Sequence, residues 1–189
     1  HCYPCMNKRP NCCENLAVRG VHIDGGMSEF CFHPRPLIHK VPAGVSWKHL
    51  AMVEPLTISI HAVKRARLAK GEHLVVTGAG PIGLLAAQYA LAIGAVPIIV
   101  DPIDERLAFA RSLGIPHGIN PVKESAVERI RDITCGRMAE AVIEASGSDA
   151  AIRSSIDYVA YSGRISLVGW PKGEVSLMTA MFTKKELDV

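Results

Sequence analysis

A glycine-rich turn between an apolar strand and a helix has the clearest chemical use in this sequence. Residues 75–83 read V-V-T-G-A-G-P-I-G, and Asp101 ends the next apolar segment, 18 positions after Gly83. Gly78 permits a tight turn, Gly80 lets the backbone approach a pyrophosphate, and Gly83 allows the helix to pack closely on the strand. We predict a dinucleotide site in which the phosphates meet a helix N-terminus and Asp101 accepts the ribose hydroxyls of the adenosine half.

Further cofactor contacts are predicted around this turn and beyond later strands. Pro81 and Ile82 open the helix, and Arg106 follows Asp101 by five residues, more than a helical turn. Because the Asp101 carboxylate binds a ribose 2′-hydroxyl and repels a 2′-phosphate, we predict NAD rather than NADP. Ligands of such sheets bind beyond the carboxyl ends of the strands, where the sequence has Gly147, Val168 and Gly169. Trp170 either borders the nicotinamide pocket or is an exposed aromatic residue on a loop.

The cysteines indicate a second site. Four of the six lie in the first 13 residues: Cys2, Cys5, Cys12 and Cys13. The spacing of Cys2, Cys5 and Cys13 lets short turns direct several thiolates at one tetrahedral zinc, and one of the adjacent pair Cys12 and Cys13 is left over. A redox Cys-x-x-Cys is the alternative, but that motif normally precedes a helix, whereas residues 8–11 have the composition of a loop.

Composition excludes several classes of protein. The 189 residues carry a net charge of +3, which is too small and too dispersed for a nucleic-acid surface, so the expected partner is a small molecule. Residues 74–100 lack charged side chains and are long enough to span a bilayer, but glycines and prolines divide them, which favours a buried parallel-sheet unit. No secretory or transit segment is visible, and we expect a cytoplasmic protein.

The pattern of elements predicts an α/β fold, a doubly wound parallel sheet that follows a β-rich segment. Short strands are expected at 17–21, 27–32 and 37–42, and a helical stretch from 47 to about 69. Regular alternation follows, with strands at 74–76, 98–100, 118–120, 141–144 and 165–168, and helices at 81–92, 103–113, 123–133 and 149–161. We place the domain boundary between residues 46 and 47.

Several motifs together carry a family resemblance. They are C-Y-P-C at residues 2–5 with Cys13, the segment 20–30, E-P-L at 54–56, the glycine turn at 78–83 and E-A-S-G at 144–147. In this order and spacing the chain resembles zinc-containing medium-chain alcohol dehydrogenases, and most closely the branch of sorbitol, threonine and sugar-acid (galactonate or idonate type) dehydrogenases. The resemblance implies part of a GroES-like catalytic domain with a structural-zinc lobe, residues 1–46, and a Rossmann coenzyme domain, residues 47–189.

The resemblance also implies roles for individual residues. Cys2, Cys5 and Cys13 match the last three of four structural-zinc ligands, the first of which would fall two residues before His1, so the chain looks like a central portion of its parent. Glu54 matches a member of the catalytic zinc site, as a direct or water-mediated ligand. Its alternative role is that of a carboxylate favoured by a helix N-terminus. His61, two helical turns further on, is more typical of a core or interface histidine than of a ligand.

The implied activity is NAD(H)-dependent, zinc-assisted oxidation of a secondary alcohol, either a polyol or a sugar acid. The alternative is a nucleotide- or zinc-binding module without turnover, because the other catalytic zinc ligands of such enzymes, a Cys and a Gly-His-Glu segment, are absent from this sequence. Homodimers or homotetramers are expected, since family members join their sheets through the final strands, and residues 187–189 lie at about the sixth strand.

Overall fold

The computed structural model describes residues 2–189, which divide into two compact units with a boundary in the sequence between Val45 and Ser46. Within its described part, the first unit has one short helix, α1 (Tyr3–Met6), and two 3-10 turns, Pro10–Cys12 and Arg35–Leu37. The rest of this unit consists of loops and turns. A single bridge joins Arg19 to Ile23.

The three strands predicted at 17–21, 27–32 and 37–42 are therefore wrong for the part of the chain that the structure describes. A strand needs a hydrogen-bonding partner, and these segments bond locally instead: the Gly20 N–H donates to the Ile23 carbonyl at 2.8 Å. The apolar side chains that alternate along the second segment are exposed, with Met27, Phe30 and Phe32 all at least 88% accessible. The 3-10 turn at Pro10–Cys12 also replaces part of the loop that was expected at 8–11.

The second unit is an α/β layer structure built on one parallel sheet. Its elements, in chain order, are α2 (Trp47–Ala51), α3 (Val53–Arg65), β1 (His73–Thr77), α4 (Pro81–Ala92), β2 (Val96–Val100), α5 (Asp104–Ser112), β3 (His117–Ile119), α6 (Ala126–Ile133), β4 (Ala139–Glu144), α7 (Asp149–Tyr158), β5 (Val159–Leu167) and α8 (Ala180–Lys185). The strand order is β3-β2-β1-β4-β5, all parallel. This order reverses between β1 and β4, which confirms the predicted doubly wound sheet.

The core lies on both faces of this sheet. Leu74 and Val76 of β1 point to one face, which packs on α3, α4 and α5, and Val75 points to the other, which packs on α6 and α7. All three side chains are fully buried. Each such aliphatic side chain contributes on the order of 1.5–3 kcal/mol relative to exposure. Burial on both faces accounts for the charge-free run at 74–100, and no helix in the described residues is long and apolar enough to cross a membrane.

Two predicted helices have different ends in the structure. The stretch expected from 47 to about 69 is two helices that meet at Met52, and the second ends at Arg65. The helix expected from 123 begins at Ala126, because the Ser125 hydroxyl accepts the Glu128 N–H and caps it there.

The junction of α7 and β5 also differs from the prediction. The helix was expected to reach residue 161, but it ends at Tyr158, and β5 starts at once with Val159 paired to Ala139. The buried ammonium of Lys185 donates to the carbonyls of Ile156 and Val159 at 2.7 and 2.8 Å and so satisfies the end of the helix. The β5 register then shifts before Arg164 pairs with Ala141. Ending the helix this way depends on a residue that comes 29 positions after Ile156.

Candidate functional site

The three glycines after β1 have different surroundings. Gly78 has a φ of +97°, and a Cβ there would lie 3.0 Å from the Ser146 Cβ. A Cβ on Gly83 would collide with the carbonyl oxygen of Gly78. A Cβ on Gly80, in contrast, would meet nothing within 4 Å. Packing therefore requires glycine at 78 and 83, whereas Gly80 leaves open space above the turn.

The open space lies next to the N-terminus of α4. Gly80 is the N-cap residue and no side chain caps the helix, so the first amides of α4 are free of side-chain acceptors. Pro81 at the first helical position has no N–H to satisfy. The Ile82 carbonyl accepts a hydrogen bond from the Ser59 hydroxyl of α3 at 2.8 Å, which fixes this turn against α3. Amides that remain free at a helix N-terminus suit a phosphate group.

The Asp101 carboxylate is fixed against this turn. Its side chain is 2% exposed; Oδ2 accepts the Ala79 N–H at 2.8 Å and Oδ1 accepts the Ile103 N–H at 2.9 Å. Each carboxylate oxygen retains a further acceptor position. Arg106 comes closer than its place in the sequence indicates, since its Nη1 lies 3.6 Å from Oδ2 while half of the side chain stays exposed. Asp101, which is predicted to bind the ribose, is thus hydrogen-bonded to the backbone of the turn that is predicted to bind the phosphates.

A cavity of about 420 Å³ adjoins the glycine turn on its α5 side. Gly80 and Pro81 line one wall, Phe109 and Leu113 of α5 line another, and Arg106 also contributes to the lining. Ligand pockets in proteins commonly measure about 300–1,000 Å³. Space for a small ligand therefore exists beside the turn.

The loops after β4 and β5 cross at the same edge of the sheet. Gly147 has a φ of +66°, and a Cβ there would lie 2.8 Å from the Trp170 carbonyl oxygen. A Cβ on Gly169 would collide with the backbone nitrogen of Gly147. The N–H groups of Val168 and Gly169 both donate to the Glu144 carbonyl, at 2.8 and 2.9 Å. The structure therefore brings together the three predicted contacts of this edge, and Trp170 beside them is 93% exposed.

Sequence reasoning did not assign a role to Glu144, the last residue of β4. The side chain is fully buried, and its carboxylate accepts hydrogen bonds from Thr77, Ser146 and Gly147. The available signal was the position of an acidic residue directly after the apolar run 141–143, within the E-A-S-G motif quoted above. A buried carboxylate at this edge of the sheet belongs to the candidate site.

Three thiols of the first unit meet in one cluster. The Sγ atoms of Cys2, Cys5 and Cys13 all lie within 4.8 Å of one another, and those of Cys2 and Cys13 are 3.9 Å apart. Four sulfurs at about 2.3 Å from a zinc ion would stand roughly 3.8 Å apart, so this spacing fits three corners of a zinc tetrahedron. Cys12 is exposed and lies outside the cluster, with its sulfur 3.3 Å from the Asn11 amide.

The electrostatics of the cluster favour a first thiolate and oppose a second. Hydrogen bonding by the Glu14 backbone and by Cys5 lowers the pKa of Cys2 to about 7. Its hydrogen bonds with Cys2 and Cys13, together with burial, raise the pKa of Cys5 to about 11. A cation in the middle would remove the repulsion between neighbouring thiolates, which is the usual way in which proteins stabilise several of them together.

Glu54 and His61 lie on α3. Glu54 is exposed in the first turn, a place where the helix dipole favours a carboxylate. Within residues 2–189, the cysteine cluster is the one group of three or more ligand-type side chains that could hold a metal, and Glu54 is outside it. His61 is exposed, so the core alternative is wrong for this histidine, and the interface alternative stays a prediction.

Curated relatives are similar over the whole chain. An uncharacterized zinc-type alcohol dehydrogenase-like protein of Haemophilus influenzae is 52% identical over 188 residues, which cover all of this chain and 55% of that protein. The L-galactonate-5-dehydrogenase of Escherichia coli K12 is 38% identical, over 98% of this chain and 54% of that enzyme. The chain thus spans about half the length of the curated relatives that it matches.

Solved structures have the same fold. An alcohol dehydrogenase of Escherichia coli CFT073 in complex with NADH superposes with a TM-score of 0.89 at 31% identity, over all of this chain and 56% of that one. A putative zinc-binding dehydrogenase of Sinorhizobium meliloti bound to NADP superposes with a TM-score of 0.91 at 28% identity, over all of this chain and 56% of that one.

These findings confirm the resemblance predicted from the motifs. Together with NADH and NADP in the two solved structures, they support the expected cofactors, a nicotinamide dinucleotide and zinc. The sequence model of the zinc-binding dehydrogenase family matches residues 81–189, more than half of the chain. The chain belongs to the zinc-binding dehydrogenase family.

Proposed function

We propose that the protein containing this chain transfers a hydride between NAD(H) and a secondary alcohol, in the class of polyols and sugar acids. The observation that carries the proposal is the edge of the sheet at Gly80, where open space, an uncapped helix N-terminus and the Asp101 carboxylate meet. The substrate class follows from relatives named L-galactonate-5-dehydrogenase and sorbitol dehydrogenase.

Each part of this edge has a task in cofactor binding. The free amides at the start of α4 would donate to the pyrophosphate, which Gly80 admits to the backbone. Asp101 would accept the adenosine ribose hydroxyls on its remaining acceptor positions, and its charge would oppose a 2′-phosphate. The loops at Gly147 and Gly169, on the other side of β1, would border the nicotinamide half.

The metal sites form part of the same proposal. Cys2, Cys5 and Cys13 would hold a structural zinc, since their Sγ atoms all lie within 4.8 Å of one another. Glu54 would belong to the catalytic zinc site of the whole protein. In such enzymes the nicotinamide supplies the hydride acceptor and the zinc polarises the substrate oxygen.

The proposal extends to assembly and location. Asp188 forms an isolated parallel bridge with Arg164 of β5, at the position that a sixth strand would take at this edge of the sheet. Sheet edges are surfaces for pairing, and we infer a homodimer or homotetramer joined there. A zinc site of reduced thiols suits a reducing compartment, and we infer a cytoplasmic location. Light scattering on the full-length protein tests the assembly, and a monodisperse monomer at micromolar concentration would refute it.

The activity is tested with the full-length protein. Absorbance of the reduced nicotinamide should rise with NAD and at least one member of a panel of polyols and aldonic acids. Removal of zinc with a chelator should abolish the rise, and added zinc should restore it. A protein that binds NADH but oxidises none of these alcohols would favour the binding-module alternative and contradict the proposal.

A further inference from the structure

A buried carboxylate connects the loops at the carboxyl ends of β1, β4 and β5. Glu144 Oε1 accepts the Thr77 hydroxyl at 3.2 Å, the Ser146 N–H at 2.8 Å and the Gly147 N–H at 3.1 Å, and the Ser146 hydroxyl also donates to it. The Glu144 carbonyl accepts the N–H groups that open the loop after β5. One residue therefore sets the course of two loops.

The chemistry of these partners suits a carboxylate rather than an amide. Every hydrogen-bond partner of the Glu144 carboxylate donates to it: two hydroxyls and two backbone amides. An ionised carboxylate only accepts hydrogen bonds, whereas a glutamine with its oxygen in the place of Oε1 would turn its NH₂ group toward the Gly147 N–H, which lies 3.2 Å from Oε2. A buried donor left without an acceptor costs about 1–3 kcal/mol.

Strand register places Glu144 on the opposite side of β1 from Asp101. Thr77 is level with Val100 of β2 on one side and with Glu144 of β4 on the other, and Asp101 directly follows Val100. In doubly wound sheets the dinucleotide lies across the point where the strand order reverses, here between β1 and β4. With the adenosine ribose at Asp101, the nicotinamide half falls toward the loops that Glu144 connects.

We propose that Glu144 is a positioning residue for the nicotinamide half of the cofactor. It holds the Ser146–Gly147 turn and the Val168–Gly169 segment in the conformation that receives this half, while the adenosine half depends on Asp101 and the glycine turn. This inference rests on the proposed dehydrogenase function. It predicts that loss of the carboxylate changes the binding of one half of the dinucleotide more than that of the other.

The test compares two ligands on the full-length protein. NADH carries both halves, whereas ADP-ribose has the adenosine, the pyrophosphate and a ribose but no nicotinamide. Glu144→Gln should raise the dissociation constant of NADH by about tenfold or more, which is the equivalent of losing one buried hydrogen bond to a charged group. The same variant should change the dissociation constant of ADP-ribose by less than about threefold, within the scatter of an independent site. Calorimetric titration measures both.

The same strand provides the matched control. Glu140 lies near the amino end of β4, where its carboxylate accepts the His73 N–H at 2.7 Å, and Glu140→Gln makes the same change of chemistry away from the site. This control should leave the ratio of the two dissociation constants unchanged. Ser146→Ala, which removes one hydroxyl donor and keeps the carboxylate, should shift the ratio in the same direction as Glu144→Gln and by less. It provides the test if Glu144→Gln does not fold.

The outcomes separate this inference from the proposed function. If Glu144→Gln and Ser146→Ala lower the affinities for NADH and ADP-ribose equally, or lower neither, Glu144 has only a structural role. The inference is then overturned while the proposed function stands. Wild-type protein that binds neither ligand would overturn both. Selective loss of NADH affinity, with ADP-ribose affinity retained, supports the positioning role.

Discussion

Separate substitutions of the second and third glycines of the turn should distinguish an effect on folding from an effect on binding. We expect Gly83→Ala to destabilise the protein and Gly80→Ala to leave its stability nearly unchanged. The reason is the surroundings of the added methyl group: at 83 it collides with the Gly78 carbonyl oxygen and lies 3.1 Å from a Val76 methyl carbon, whereas at 80 it meets nothing within 4 Å.

The structure gives the size of both effects. Alanine in a helix interior is ordinarily favoured over glycine by about 0.5–1 kcal/mol, but overpacking costs about 1–3 kcal/mol, and a backbone oxygen cannot rotate away as a side chain can. The expected net effect of Gly83→Ala is a loss of about 1–2 kcal/mol. Gly80 has a φ of −77° and a ψ of 180°, which alanine adopts without strain. Its substitution should stay within about 0.5 kcal/mol of the wild type.

Binding should respond in the opposite order. The methyl of Gly80→Ala occupies the space through which a pyrophosphate reaches the α4 amides, and loss of one or two charge-assisted hydrogen bonds of about 1.5–3 kcal/mol each lowers NADH affinity by at least about tenfold. Denaturant midpoints and NADH titrations on the full-length protein measure the two effects. If Gly80→Ala loses as much stability as Gly83→Ala, or keeps wild-type affinity, the assignment of the open space to phosphate is refuted.

Three further predictions concern charge and thiol chemistry. Asp101→Ser should narrow the preference for NADH over NADPH by removing a repulsive carboxylate, and direct titration of both dinucleotides on the full-length protein checks this; a wild-type preference for NADPH would contradict the assignment. Cys13→Ser should lower the zinc content and the thermal stability of the full-length protein more than Cys12→Ser, and equal effects would argue against the cluster as a zinc site. Burial raises the pKa of Glu140, but hydrogen bonds from His73 outweigh it and leave that pKa below its ordinary value of 4.5, so the folded state gains stability above this pH and loses it as the pH falls. Glu140→Gln should therefore reduce the loss of unfolding free energy as the pH falls. Urea denaturation at several pH values around 4.5 measures this, and the same dependence on pH in the variant and the wild type would refute that account.

Local signals predicted the second unit well because its elements carry their own starts and stops. The helix predicted at 81–92 has the same ends in the structure, since glycine precedes Pro81 and proline favours the first helical position. The three central strands, β1, β2 and β4, are buried on both faces and are visible as largely apolar runs. The parallel doubly wound sheet followed from strand–helix alternation, because right-handed crossovers leave few arrangements of such a chain.

The first unit shows where local signals fail. The segments at 17–21, 27–32 and 37–42 have the alternation and the turn residues of strands, yet strand formation also needs a partner at the right register. Within the described residues they find only the bridge of Arg19 with Ile23. The end of α7 failed for a related reason, because Lys185, which satisfies its last carbonyls, is remote in sequence. The lack of a strand partner decides the first case and a distant residue decides the second, and a local stretch of sequence shows neither.

In the candidate site, too, the residues that act locally were predictable from the sequence, and the residue that depends on distant partners was not. Glycines and Asp101 were predictable because each acts through its own backbone or its place after a strand. The role of Glu144 was not, because it depends on Thr77 lying beside it in the register of β1 and β4, and on Gly147 and Gly169 meeting where any Cβ would collide. Those glycines were predicted as cofactor contacts, and the structure adds a second reason for them: they let two loops cross directly above a buried carboxylate. A substitution there should therefore disturb the loops that Glu144 positions before it touches any cofactor.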